Sequence, residues 1–113
     1  MHEYGIAYDI YATARRAAED HHARAVKRVL IDIGDFAMVN PEQVEFLFHA
    51  IAAEDPLFAG STLSYRKIPP RTRCTCGYEG EEVFVCPRCG GLPELTQGRE
   101  IVVTNLEIDV EGP

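Results

Sequence analysis

The sequence predicts a small α+β/α/β fold, a three-stranded mixed sheet with two helices, interrupted before its last strand by a cysteine-rich module. Three observations lead there. Apolar residues recur at helical spacing in two stretches and alternate in others. The stretches come in the order helix, strand, helix, strand, strand. All four cysteines fall between positions 74 and 89, ahead of the final alternating stretch.

The first helix is expected over residues 3 to about 20, with Ile6, Ile10, Thr13 and Ala17 as its apolar stripe and Asp20-His21-His22-Ala23 as its exit. A strand follows over 26–33. Val29, Ile31 and Ile33 share one face and Val26 and Leu30 the other, which suits a central strand ended by Gly34-Asp35. Asn40-Pro41-Glu42-Gln43 starts the second helix, because Asn caps well and Pro fits the first helical position. Val44, Leu47, Phe48 and Ile51 form its stripe, and Pro56 stops it. Ser61 to Ile68 reads as the second strand, with Leu63 and Tyr65 on one face. Strand, helix, strand implies a right-handed crossover and a parallel pair. Pro69-Pro70 is a stiff exit. Over 100–110, Val102, Thr104, Leu106, Ile108 and Val110 are expected on the buried face, with Asn105, Glu107 and Asp109 facing away.

A chain of 113 residues fits one domain, or one domain with a stapled insertion. With 18 acidic against 11 basic residues the net charge is -7, so a phosphate backbone repels the chain and nucleic acid is excluded as the first choice of partner. No apolar run reaches the ~20 residues that span a bilayer. The start, Met1-His2-Glu3-Tyr4, lacks the basic and apolar regions of a signal peptide. A cytoplasmic protein is therefore expected. In that compartment clustered cysteines are metal ligands or redox groups rather than disulfides. The chain shows no Gly-rich phosphate loop and no nucleophile motif, so no enzyme is expected.

The cysteines read Cys74-Thr75-Cys76-Gly77 and Cys86-Pro87-Arg88-Cys89-Gly90. Four thiolates suit a tetrahedral Zn²⁺, and four protein ligands leave no open position, so the zinc is expected to be structural. Iron in the same ligand set, as in a rubredoxin-like electron carrier, is the competing metal. Disulfides or free thiols are the bland alternative. A module of about 30 residues cannot build a sufficient core, and metal binding would provide its folding free energy. Arg71, Arg73 and Arg88 are placed to offset the negative charge of a zinc tetrathiolate.

The N-terminus has its own chemistry. The α-amine of Met1, the first backbone amide and the His2 imidazole can chelate one metal, and nitrogen donors in a square plane favour Ni²⁺ or Cu²⁺. Glu3 is a candidate further ligand. From the residues alone, a histidine at position 2 is more often a solvated terminal residue. His21, His22 and His49 show no ligand partners in the sequence.

Taken together, the chain resembles the HypA family, the nickel metallochaperones of hydrogenase maturation. The resemblance rests on Met1-His2-Glu3, on Val29-Leu30-Ile31-Asp32-Ile33-Gly34, on Cys74, Cys76, Cys86 and Cys89, and on Gly98-Arg99-Glu100 followed by Leu106-Glu107-Ile108. It implies nickel carried by Met1, His2 and Glu3, and structural zinc held by the four cysteines. It also implies delivery to a hydrogenase large subunit with help from a nickel-binding GTPase; some relatives serve urease. It makes His2 a ligand rather than a spectator. The first cysteine pair departs from the usual pattern as C-x-C, and the stretch Arg71 to Gln97 contains no histidine that could add a nickel ligand. The expected boundaries are 1–68 with 99–113 for a nickel-binding α/β domain and 69–98 for a zinc-ribbon module. The alternative function is a zinc-ribbon protein-interaction module without nickel.

Overall fold

The computed structural model describes residues 2–110. The elements run α1 (Glu3–Asp20), β1 (Ala23–Gly34), α2 (Pro41–Ala52), a single 3-10 turn (Pro56–Phe58), β2 (Thr62–Ile68), β3 (Arg71–Arg73), β4 (Glu79–Gly80), β5 (Glu94–Gln97) and β6 (Ile101–Val110). They form two three-stranded sheets, ordered β2-β1-β6 and β4-β3-β5. The chain divides into two compact units. One is built from the chain up to Ile31, Val39–Arg66 and the stretch from Val102 onward; the other from Asp32–Met38 and Lys67–Ile101.

The larger sheet is mixed. Along β1 and β6, Leu30 meets Thr104, Arg28 meets Glu107 and Arg24 meets Asp109, so one strand's numbers rise as the other's fall and the pair is antiparallel. The ends of β1 and β2 meet where Asp35 N donates to Ile68 O, which makes that pair parallel, as expected for a helical crossover.

In the first unit, α1 and α2 pack on each other and run the same way. Their starts meet where Asn40 N donates to Glu3 Oε2 at 3.3 Å. Tyr11 and Arg15, further along α1, reach Asp55 just past the end of α2. The second helix starts as its sequence dictates: Asn40 Oδ1 accepts from Glu42 N at 3.0 Å and Gln43 N at 3.3 Å, with Pro41 at the first helical position.

Burial corrects three expectations. The buried face of α1 is Ala7, Ile10, Ala14 and Ala18, not Ile6, Ile10, Thr13 and Ala17. Three of those four are alanines, and small side chains let a helix backbone sit close to its neighbours. On α2 the buried residues are Val44, Phe48 and Ala52, with Leu47 and Ile51 at the margin. On β6 no residue is fully buried: Ile101 and Val103, then Leu106 and Ile108, are half-covered, while Val102, Thr104 and Val110 are exposed. The alternation changes phase at Thr104-Asn105, both exposed, and β6 lies at the sheet edge. The strand over 26–33 is longer than expected, and Val26 is as fully buried as Val29.

An aromatic chain links the helices to the core: Tyr8 to Tyr11 at 5.9 Å between ring centroids, Tyr11 to Phe58 at 5.1 Å, and Phe58 to Phe48 at 6.2 Å. Asp55 anchors it. Burial raises the pKa of this carboxyl, but donation from the Tyr11 hydroxyl, the Leu57 N–H and Arg15 outweighs that and holds it below its ordinary value. The same carboxylate, and partial burial, push the Tyr11 hydroxyl up.

In the second unit, β3 is the central strand. Thr72 pairs with Gly80 of β4 and Leu95 of β5, and a register irregularity lies between Arg71 and Thr72. The Thr72 side chain is buried, its hydroxyl lying 3.1 Å from Gly80 O and 2.9 Å from Glu82 O, so its burial leaves no polar atom without a partner. Gly34 can only be glycine, because a Cβ there would stand 2.1 Å from Gly98 O.

Candidate metal centre

The cysteines sit in two short hairpin turns of the same design. In the first, Cys74 N donates to Tyr78 O at 2.8 Å and Cys74 O accepts from Gly77 N at 2.9 Å. In the second, Cys86 N donates to Gly91 O and Cys86 O accepts from Gly90 N, both at 2.8 Å. In each, the residue closing the turn is a glycine with positive φ, +97° at Gly77 and +78° at Gly90, where a side chain would be strained. The C-x-C half thus differs from the C-x-x-C half by one residue of turn, closed by the same pair of backbone bonds. The shortening removes no ligand.

The four Sγ atoms lie within 4.8 Å of one another. Cys74 and Cys89 sulfurs are 3.4 Å apart and Cys76 and Cys86 sulfurs 3.7 Å. Four sulfurs at the zinc–sulfur bond length would stand about 3.8 Å apart on a tetrahedron, against about 2.05 Å in a disulfide. All four cysteines are free. Cys74 and Cys86 are buried, Cys76 is half-buried and Cys89 is exposed, with Gly91 N donating to its sulfur at 3.4 Å. The cluster fits a zinc ion, and four thiolate ligands would close its coordination shell.

The electrostatics point the same way. The Cys76 backbone N–H and then the Cys89 thiol pull Cys74 down to about 6. Cys89 is pushed up to about 12: Gly91 N–H opposes the shift, but the Cys74, Cys76 and Cys86 groups overcome it. Without a cation the cluster ionises readily once and resists further negative charge. A divalent ion removes that resistance, so binding must release protons. Two of the three arginines expected to offset the cluster charge also face carboxylates. Arg71 stands 3.9 Å from Glu81 and Arg73 3.1 Å from Glu79, so both cations are engaged by carboxylates.

At the other candidate site, Met1 lies outside the described residues. His2 is exposed and occupies the N-cap position of α1 without a side-chain cap, its carbonyl accepting from Ile6 N at 3.0 Å. Glu3 is half-buried in the first turn. His21, His22 and His49 are all exposed, and Nδ1 of His21 lies 3.0 Å from Ala17 O at the end of α1. None joins a cluster of metal-ligating side chains among the described residues.

A family profile described as "Hydrogenase/urease nickel incorporation, metallochaperone, hypA" matches residues 1–108. The chain belongs to the HypA family. Among HypA relatives, the "Hydrogenase maturation factor HypA" of Methanocella arvoryzae is 36% identical over 114 residues, covering 97% of this chain and 100% of that one. That of Methanothermobacter thermautotrophicus is 34% identical over 120 residues, covering 96% and 98%. The solution structure of the Ni metallochaperone HypA from Helicobacter pylori shares the fold, with a TM-score of 0.78 at 22% identity, covering 98% of this chain and 100% of that one. HypA proteins are maturation factors of the metallochaperone class, not enzymes. No helix among the described residues is long and apolar enough to cross a membrane.

The interaction that sequence reading missed is the Tyr11–Asp55–Arg15 network. Its partners lie 40 and 44 residues apart, and no local pattern signals it.

Proposed function

We propose that this HypA chain is a cytoplasmic carrier that binds Ni²⁺ through the Met1 α-amine, His2 and Glu3. It delivers the metal to the hydrogenase large subunit, assisted by a nickel-binding GTPase. Residues 1–68 with 99–113 form the nickel-binding domain, and 69–98 the module whose Cys74, Cys76, Cys86 and Cys89 hold structural zinc. The observation that supports this best is membership of a nickel-incorporation family by a chain that opens Met1-His2-Glu3.

Physical chemistry supports a terminal donor site. The first N–H groups of a helix have no intrahelical acceptor, so the His2 amide is free of helical duty and can release its proton to solvent as a metal takes the proton's place. The helix start carries partial positive charge, which weakens the hold on a cation, while the Glu3 carboxylate in the first turn offsets it. A transferable metal needs that balance. Zinc in four thiolates is the opposite case, with binding coupled to folding and worth ~10 kcal/mol or more.

The test is a metal titration of untagged protein, zinc being counted first, repeated on His2→Ala and on protein extended by one residue before Met1. The reading expects one zinc throughout, with a nickel bound only by the unmodified N-terminus. Normal nickel uptake by the extended protein would sink the amine ligand. No specific uptake by any form would leave a zinc-ribbon interaction module.

A further inference from the structure

Solvent does not reach the four cysteines equally. Cys74 and Cys86 are buried, Cys76 is half-buried and Cys89 is exposed. Two sulfur contacts run across from one hairpin to the other, Cys74 to Cys89 at 3.4 Å and Cys76 to Cys86 at 3.7 Å. Each contact therefore joins one buried sulfur to one that solvent reaches. Cys89 is the most open of the four, and its partner Cys74 is only 4% exposed.

An accessible thiolate beside a second thiol is the arrangement of a redox sensor, in which the first sulfur is oxidised and the second resolves it. Cysteine ligating a metal is thiolate, the nucleophilic form. With a peroxide as oxidant the steps balance. The Cys89 thiolate attacks one peroxide oxygen, the O–O bond breaks, hydroxide leaves, and Cys89 becomes a sulfenic acid. The Cys74 thiolate then attacks the Cys89 sulfur, the S–O bond breaks, and a second hydroxide leaves. Two thiolates have given two electrons to one peroxide and now share a disulfide. Cys76 and Cys86 repeat the sequence with a second peroxide. No thiolate then remains to hold a cation, and zinc is set free as Zn²⁺, which has no redox chemistry of its own.

We propose that the cysteine cluster is a peroxide-operated switch that exchanges its zinc for two disulfides between the same two hairpins, Cys89 with Cys74 first and Cys76 with Cys86 second. The turns suit the exchange. Each is closed by backbone bonds, Gly77 N to Cys74 O and Gly90 N to Cys86 O, which are independent of what the sulfurs hold. Oxidation therefore leaves the hairpins tied to each other covalently, whereas simple loss of the ion unties them. In a reducing compartment disulfides are transient, and thiol reductants return the cluster to its metal-binding form. The switch rests on the zinc reading of the cluster and makes no use of the N-terminal site.

The experiment uses the full, untagged chain prepared without oxygen. Zinc is counted first. Hydrogen peroxide is then added beside a chromogenic zinc indicator too weak to strip the untreated protein. Free thiols are trapped with iodoacetamide and disulfides are located by peptide mass spectrometry. About two peroxides should be consumed per zinc released, with Cys74–Cys89 the first bond to form. Dithiothreitol and fresh zinc should restore one zinc per chain. Met38→Leu removes a thioether in a residue 80% exposed and should release zinc as wild type does. Loss of release in that variant would trace the effect to methionine and overturn the switch. Zinc retained under peroxide that oxidises a free cysteine peptide overturns the switch and leaves structural zinc standing. A first disulfide within one hairpin, or sulfinic acids that dithiothreitol does not reverse, overturns it equally. A chain that neither holds zinc as isolated nor takes it up fails the zinc reading itself, and the switch with it.

Discussion

The two compact units are held together by different physics. The first buries a conventional core, with Ala7, Ile10, Val26, Val29, Val44, Phe48, Phe58 and Leu63 all 4% exposed or less. In the second, two of the few buried side chains, Cys74 and Cys86, are candidate metal ligands, while Phe84, Val85 and Leu92 lie in solvent. Apolar burial stabilises the first unit by roughly 1.5–3 kcal/mol for each large side chain. In the second, Ile33 is the one large aliphatic side chain buried to that degree among the described residues, and on the proposed zinc reading the ion would supply the rest. On the proposed zinc and carrier readings, the chain joins a part that survives metal loss to a part that reports it.

The sharpest way to break this contrast is to remove the ion. Stripping zinc with a strong chelator, or replacing Cys86 by Ser, should unfold residues 67–101 at a cost of order 10 kcal/mol. The amide spectrum should lose its dispersed signals from that stretch alone, with the α1 and α2 signals kept. Simultaneous melting of both helices would show that the units are one cooperative body.

The reverse perturbation is smaller. Phe48→Ala empties a site that is 0% exposed in the first unit and should cost about 3–5 kcal/mol. Thermal unfolding followed by far-ultraviolet circular dichroism should move down, while zinc stoichiometry stays at one. Loss of zinc in this variant would count against separate stabilities.

The smallest effect tests the polar network of the first unit. Asp55→Asn should cost about 1–3 kcal/mol, since the Asp55 side chain is 10% exposed and accepts from Tyr11 and Arg15. The sign with pH follows from the shifts. The Asp55 carboxyl lies below its ordinary 3.8 when folded, so its contribution is present above that value and is lost as pH falls through the lowered one. Tyr11 lies above its ordinary 10.0, so its contribution holds below that pH and is lost as pH rises through the raised value. Denaturant midpoints across both windows should show two flanks in wild type and neither in Asp55→Asn.

Much of this was legible in the amino-acid order because the forces are local. The α2 start follows from Asn40 and Pro41 alone, since a capping side chain reaches only two or three residues. The cysteine cluster follows from four cysteines whose turns are closed within five residues by Gly77 and Gly90. The faces of α1 and β6 were less legible. In an alanine-rich helix the apolar pattern is nearly uniform around the axis, so which stripe is buried depends on what packs against it. The β6 phase change at Thr104-Asn105 leaves no mark in the alternation itself.

By itself the sequence determined element order, the α2 cap, the clustering of the four cysteines and the family, because caps, turns and cysteine spacing act over a few bonds. Only the tertiary structure decided that Ala7, Ala14 and Ala18 rather than Ile6, Thr13 and Ala17 face the core. It alone joined Tyr11 and Arg15 to Asp55 and left Phe84, Val85 and Leu92 in water. Each depends on residues distant in the chain, and burial is a property of what the rest of the fold places alongside.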